Sequence, residues 1–182
     1  MIGTLPTTLE IDDTEYKIRT DYRIALTIFE AFEDVELSER EKATIMLTLL
    51  YEELPSDIEK AVEMAAWFLD GGKQYDKITK NKKVMDWSQD QSMIFSAVNK
   101  VAGFETRERE HIHWWTFLGY FNEIGEGLLS TVLNIRQKKN KGKKLEKYEQ
   151  EFYLENKELV DLKKKYTKEE QEEIERLNNL LK

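Results

Sequence analysis

Apolar positions recur along most of the chain at the three- and four-residue spacing of amphipathic α-helices. The first such stripe lies in residues 24–32. Ser38 with Glu41 then has the spacing of a capping box, in which two side chains bond backbone N–H groups at a helix start. Ser56 with Glu59 repeats this pattern. The spacing therefore predicts three helices in this part of the chain, each with one buried face.

Strand-like alternation is confined to the N-terminus. Residues 8–11 and 16–19 alternate in polarity and flank the turn at residues 12–14, which predicts a small β-hairpin. Because an isolated hairpin is marginal in water, we expect it to pack on the helices or on a neighbouring subunit. Strands do not alternate with helices elsewhere, which argues against a parallel sheet.

Glycines mark the predicted helix ends, because glycine readily adopts the left-handed conformation found there. Gly71-Gly72 ends the third helix, and Gly103 ends the next one. Residues 73–84 are rich in lysine and poor in apolar side chains, so we predict a solvated loop between these helices.

Two aromatic segments dominate the second half of the chain. The first spans residues 85–90, where Ser88 with Gln91 is predicted to cap a helix. The second spans residues 111–117. Three of the four tryptophans and both histidines lie in these two segments. Such a density of rings in a highly charged chain indicates a core or a contact surface, and we expect the rings to join the two segments.

Composition changes near residue 137. We predict a mainly α fold, with a compact helical domain and N-terminal hairpin in residues 1–137 and a charged helical tail in residues 138–182. Residues 136–182 hold 14 of the 28 Lys and Arg residues but 11 of the 36 Asp and Glu residues, so they carry +3 and the rest −11. This acidic body argues against a protein built to hold duplex DNA.

The tail has a weak heptad pattern. A basic linker, residues 138–144, precedes apolar positions that keep heptad spacing from Leu145 to Tyr166 but are interrupted by Glu155. Thr167 then begins a last predicted helix. Two arrangements remain open, a helical hairpin packed on the protein's own domain and a coiled coil with another chain.

Several classes of protein are disfavoured by composition. The chain has no cysteine, which excludes disulfides, thiol catalysis and cysteine-ligated zinc. It has no apolar run near the roughly 20 residues that cross a bilayer and no N-terminal signal segment, so we expect no membrane association and an intracellular protein. His111 and His113 would point about 200° apart on a helix and could not share a metal. We expect His113 to bond Asp86 or Asp90 instead, and neither a cofactor nor an enzymatic activity.

The chain contains, in this order, Asp86-Trp87, Asp90, Phe95, His113-Trp114-Trp115-x-Phe117, Phe121 and Arg136. This order resembles the bacteriophage "gene product fifteen" family, over roughly residues 1–140. The His-Trp-Trp-x-Phe element is the most specific part of the resemblance. The hairpin followed by residues 21–23 is also similar to how family members begin. The residues that form the family motif and its structural core are Asp86, Trp87, Asp90, Phe95, His113, Trp114, Phe117, Phe121 and Arg136.

This resemblance implies a function in assembling the tails of long-tailed phages. Family members look like tail assembly chaperones that bind the tape measure protein in the host cell cytoplasm, with homo-oligomers as a further expectation. Trp114, Phe117 and Phe121 would form a buried stripe. Trp115 and Tyr120 are then the candidate partner-binding residues, because they point to other sides of the helix.

A further hypothesis concerns the charged motif residues. Asp86 and Asp90 are expected to orient His113 or Arg136 across the two segments. A loss of helix content in Asp86→Ala, rather than of partner binding, would indicate a structural role.

Two alternative functions remain. One is a minor structural component of the phage tail. The other is a nucleic-acid accessory protein that uses the Lys138–Lys147 run and the lysine loop at 73–83, for which salt-sensitive binding is expected. Aromatic side chains that could stack on bases are sparse in those runs, which disfavours nucleic acid as a partner.

Overall fold

The computed structural model describes residues 3–73 and 82–180, which form one two-stranded hairpin and nine α-helices. The strands are β1 (Thr8–Ile11) and β2 (Thr14–Lys17). The helices are α1 (Tyr22–Phe32), α2 (Glu39–Leu50), α3 (Ile58–Leu69), α4 (Gln91–Ala102), α5 (Trp114–Asn122), α6 (Leu128–Asn140), α7 (Lys147–Glu155), α8 (Lys157–Val160) and α9 (Lys168–Leu180). The predicted mainly α fold with an N-terminal hairpin is confirmed.

The hairpin is antiparallel and turns through two residues. Asp12 and Asp13 have φ values of 49° and 59°, the left-handed conformation that the tightest hairpin turns require and that Asp tolerates. Thr14 therefore already belongs to β2, which begins two residues before its predicted start. Leu9 and Ile11 are buried, and β1 packs against α3. The hairpin thus packs on the helices of its own chain.

One of the first two predicted capping boxes is present. Ser38 Oγ accepts a hydrogen bond from the Glu41 N–H at 3.3 Å, and the Glu41 carboxylate accepts from the Ser38 N–H at 2.8 Å. The box predicted to begin at Ser56 is wrong by one residue. Asp57 caps α3 by accepting from the Lys60 N–H, and its carboxylate also pairs with the Lys60 ammonium group at 3.4 Å. Asp57 takes the capping position predicted for Ser56 because its charged carboxylate bonds both the N–H and the ammonium group of Lys60.

The predicted cap at Ser88 is also wrong. Ser88 lies in a turn that precedes α4, and Asp90 occupies the N-cap position. The Asp86 carboxylate organises this turn by accepting hydrogen bonds from the Ser88 and Gln89 N–H groups at 3.0 and 2.8 Å. The helix therefore begins later, at Gln91.

The predicted glycine stops are confirmed. Gly71, Gly72 and Gly103 have φ values of 70°, 79° and 77° at the ends of α3 and α4. At Gly72 an added Cβ would also lie 2.8 Å from the Trp115 ring, so space as well as conformation requires glycine. Most of the predicted lysine-rich loop, residues 74–81, lies outside the described residues.

The core is formed by the hairpin, the first six helices and one residue of the tail. At its centre Tyr22 and Phe117 stack with ring centroids 4.5 Å apart. Phe95 is buried beside Phe117, at 6.0 Å between ring centroids. The α4 stripe is buried as predicted except for Val101, which is 36% exposed because it lies in the last turn, beside an open cleft.

The tail departs from its predicted arrangement. Helix α6 continues to Asn140, so the first part of the predicted basic linker is helical. This is possible because Lys138 and Lys139 form ion pairs with Glu149 and Asp161 at 2.7 and 2.5 Å instead of repelling one another.

The heptad run does not form one continuous helix. Helix α7 ends at Glu155, α8 is a single turn, and residues 161–167 are irregular. The run is therefore not the unbroken helix that a heptad pattern favours. Val160 is instead fully buried against the core. Thr167 and Glu170 begin α9 with the predicted capping box.

Candidate interaction groove

The two aromatic motif segments meet in space. The Trp87 ring lies 6.3 Å from that of Trp114 and 5.3 Å from that of Phe121, measured between centroids. Phe29 of α1 stacks on Trp87 at 5.6 Å. The prediction that these segments are joined through their rings is confirmed, and α1 supplies a ring between them.

Both indoles of the Trp-Trp pair bind the end of α3. Trp114 Nε1 donates to the Leu69 carbonyl at 2.9 Å, and Trp115 Nε1 donates to the Phe68 carbonyl at 2.8 Å. The Leu69 carbonyl lies in the last turn of α3 and has no partner within the helix, so the Trp114 indole satisfies an acceptor that would otherwise need water. The Phe68 carbonyl also accepts a hydrogen bond from the Gly71 N–H at 3.1 Å. Trp114 is buried, whereas Trp115 is half-buried against Trp67.

His113 is the N-cap of α5. Its Nδ1 accepts a hydrogen bond from the Trp115 N–H at 3.0 Å, and its Nε2 lies 2.9 Å from the Pro6 carbonyl. Since a carbonyl can only accept, the ring is neutral with its proton on Nε2. Burial lowers the pKa of His113 below its ordinary value, and the Pro6 carbonyl only partly opposes this. The expected bond from His113 to Asp86 or Asp90 is absent within the described ranges, because backbone groups occupy both ring nitrogens.

Arg136 is the centre of a buried polar junction. Its guanidinium forms hydrogen bonds of 2.6 and 2.9 Å to the two Asp90 oxygens. It also donates to the carbonyls of Val84, Leu159 and Val160 at 3.0, 3.0 and 2.5 Å. Asp90 therefore orients Arg136 as predicted, and the pair joins α4, α6 and α8.

Asp86 has a different role from the one predicted, because it contacts neither His113 nor Arg136. Its carboxylate pairs with Lys83 and Lys165, each at 2.9 Å, and Glu33 of α1 pairs with the same two lysines. Burial by itself would raise the pKa of Asp86, but the Gln89 N–H and the Lys165 and Lys83 ammonium groups outweigh it and hold the pKa well below its ordinary value. This cluster fastens the irregular tail segment to α1.

Two adjoining cavities form a groove beside the aromatic junction. The first encloses about 530 Å³ between α1, α2 and α3, and the second about 360 Å³ between α1, α5 and the end of α3. Phe29, Leu69 and Asp70 line both cavities, so the two lie side by side. We call them together the aromatic groove. Its other large apolar side chains are Phe32, Met46, Val62, Trp87, Trp114, Trp115, Leu118 and Phe121.

The structure separates the two candidate partner-binding residues. Trp115 lines the aromatic groove, whereas Tyr120 packs edge-on against Phe104, with 6.2 Å between ring centroids, away from the groove. The groove also uses Phe29 and Val62, which sequence reasoning placed only in buried helical stripes. The periodicity of Phe29 and Val62 indicates that each lies on the apolar face of a helix. It does not reveal that part of this face is left uncovered and lines a groove.

Two observations limit the chemistry of the site. Within residues 3–73 and 82–180 there is no group of three or more His, Cys, Asp or Glu side chains that could hold a metal ion. In the same ranges no helix combines the length and apolar character needed to cross a membrane.

Fold and site together define a mainly α protein whose Asp-Trp and His-Trp-Trp segments meet beside an apolar groove. The family model of the bacteriophage Gp15 protein matches residues 1–182, and the chain belongs to this family of phage proteins. The match includes residues 141–182, so it extends beyond the stretch in which the motifs were found. Comparison with curated proteins and with solved structures gives no match.

Proposed function

We propose that this phage protein is a tail assembly factor, a chaperone that binds the tape measure protein during tail morphogenesis. It would act in the host cell cytoplasm, by binding rather than by catalysis. The observation that carries the proposal is the aromatic groove in a member of the bacteriophage Gp15 protein family.

The groove suits the apolar face of a helix. Helix-in-groove recognition places side chains at i, i+3, i+4 and i+7 into an apolar cleft between helices. The three helices that frame the first cavity and the rings that floor the second provide such a surface. Each large apolar side chain buried there would contribute roughly 1.5–3 kcal/mol before the costs of association.

Moderate affinity per site is what coating a long partner requires. Several copies bound along one extended helix hold it through combined binding, while each copy can still dissociate when the tail tube replaces it. Self-association would strengthen this effect.

The ion pairs in the tail argue against the nucleic-acid alternative. Lys138 is paired with Glu149, and Lys139 with Asp161. These two members of the basic run are thereby neutralised locally, and fewer cations remain for phosphates.

Co-expression with the tape measure protein of the same phage tests the chaperone function. Ala66 is exposed on α3 and lines the groove, so Ala66→Glu places a charge in the cleft without disturbing the core. The unmodified chain should keep the tape measure protein soluble and co-purify with it, and Ala66→Glu should lose most of this effect. Thr44→Glu is the matched control, because it adds the same charge on the exposed side of α2.

Purified virions give an independent outcome. A chaperone should be missing from mature particles by mass spectrometry. Stoichiometric incorporation of the chain would overturn the chaperone function and favour a minor structural component of the tail.

A further inference from the structure

Helix α9 differs from the other helices in having no buried residue among its 13. Each of the other eight α-helices in the described ranges contains at least one buried side chain. Three apolar side chains of α9 are nevertheless spaced three residues apart along one side, Ile174, Leu177 and Leu180, with exposures of 37%, 53% and 77%. We call them the α9 stripe.

The start of α9 is fixed to the body of the protein. Lys165, just before the helix, pairs with Asp86 at 2.9 Å and with Glu33 at 3.5 Å. The Lys168 N–H donates to the Glu36 carboxylate at 2.5 Å. These contacts hold the start of α9 on the body of the protein, while Ile174, Leu177 and Leu180 stay exposed in the rest of the helix.

The charge of α9 indicates which kind of partner could cover the α9 stripe. The helix has five carboxylates and two basic side chains, a net charge of −3. Glu170 lies four residues before Ile174, and Glu173 lies four residues before Leu177, so both carboxylates share the face of the stripe. A partner must therefore offer apolar side chains together with cations.

Neither α9 nor residues 1–135 of a second copy of this chain meet that requirement. Two α9 helices laid side by side would bring like-charged carboxylates together, which is unfavourable. The body of a second copy is also acidic, since residues 1–135 carry −11.

We propose that α9 is a docking surface for a basic amphipathic helix of a partner protein, whose apolar face covers the α9 stripe and whose Lys or Arg side chains pair with Glu170 and Glu173. This surface is separate from the aromatic groove. The proposal does not depend on the chaperone function, and the two fail independently.

Two labelled helical peptides test the docking surface on the full chain. They share one leucine stripe, and one carries lysine and the other glutamate at the remaining positions. Fluorescence anisotropy should show binding of the lysine peptide that weakens as salt is raised, and no binding of the glutamate peptide. Ile174→Asp should weaken binding of the lysine peptide about tenfold or more, because the stripe loses one of its three apolar contacts.

Asn179→Asp is the matched control. It adds the same charge to α9 on the side opposite the stripe, so binding of the lysine peptide should be unchanged or slightly tighter. Both variants should unfold at the same denaturant concentration as the unmodified chain, since α9 buries nothing.

Three results would overturn the proposal. In the first, the lysine peptide does not bind the unmodified chain. In the second, it binds Ile174→Asp and Asn179→Asp equally, which would mean that it is held only by non-specific attraction to an acidic protein. In the third, sedimentation shows a dimer that Ile174→Asp converts to a monomer, which would mean that a second copy of this chain covers the α9 stripe.

Discussion

The Arg136 guanidinium forms two hydrogen bonds with the Asp90 carboxylate, 2.6 and 2.9 Å long, and both side chains are buried. The pair lies between α4 and α6, while three carbonyls around it use the remaining guanidinium donors. One residue of the family motif thus connects the helical body to the tail. Asp90 and Arg136 of the motif therefore have a structural role.

Removal of the Asp90 carboxylate should destabilise the protein strongly. Asp90→Ala leaves the buried Arg136 guanidinium without its counter-ion, which costs about 3–5 kcal/mol of unfolding free energy. Urea denaturation followed by tryptophan fluorescence measures the loss. Glu172→Ala removes a carboxylate from exposed α9 and should stay within about 0.5 kcal/mol. Equal effects of the two variants would contradict the role given to the pair.

Gly72→Ala should cost more than the same change at Gly142. Both glycines have positive φ, 79° and 64°, so each alanine takes the left-handed penalty of about 1–2 kcal/mol. Only at Gly72 does the new Cβ meet a ring, that of Trp115 at 2.8 Å, whereas nothing lies within 4 Å at Gly142. The Gly72 variant should lose additional unfolding free energy and alter tryptophan emission. Identical losses would show that the indole moves aside freely.

Stability should fall on mild acidification because of His113. Its pKa is lowered in the fold, so the unfolded chain takes up a proton first as the pH drops. The stabilisation is complete above the unfolded value of 6.5 and is lost as the pH falls from there through the lower folded value. His113→Asn can still cap α5 and should flatten the change in unfolding free energy between about pH 7 and pH 5. An unchanged slope in that variant would assign the pH dependence to other groups.

Lys165 should govern access of proteases to the irregular segment before α9. Lys165→Ala removes the ion pairs with Asp86 and Glu33 that hold this segment on α1. Limited proteolysis should then cut faster within residues 161–167, while the body remains intact. Lys164→Ala is the control, because residues 3–73 and 82–180 contain no carboxylate paired with Lys164. Equal cleavage rates would mean that the segment is held by packing alone.

The sequence predicted those features that depend on neighbouring residues. The Ser38–Glu41 and Thr167–Glu170 capping boxes were correct because each closes within one helical turn. The caps at Ser56 and Ser88 were misplaced because nearby aspartates offered charged acceptors. A capping pattern identifies a helix start to within a few residues but does not rank competing acceptors.

The candidate site was only partly predictable. Aromatic density indicated that the segments around Trp87 and Trp114 would meet, and they do. The contribution of Phe29 and of α3 was not predicted, because these residues are far away in the chain. The partners of His113 were wrong for the same reason, since Pro6 is 107 residues distant.

The sequence by itself determined the helices, the hairpin and the glycine stops, because backbone geometry imposes fixed periods of 3.6 and 2 residues on the apolar pattern. Tertiary structure decided that the indoles of Trp114 and Trp115 bind the end of α3, that the tail packs on the core through Val160, and that the aromatic groove stays open among the described residues. Those outcomes depend on which groups from distant parts of the chain the folded backbone brings into hydrogen-bond or van der Waals contact. A local sequence pattern holds no information about such contacts.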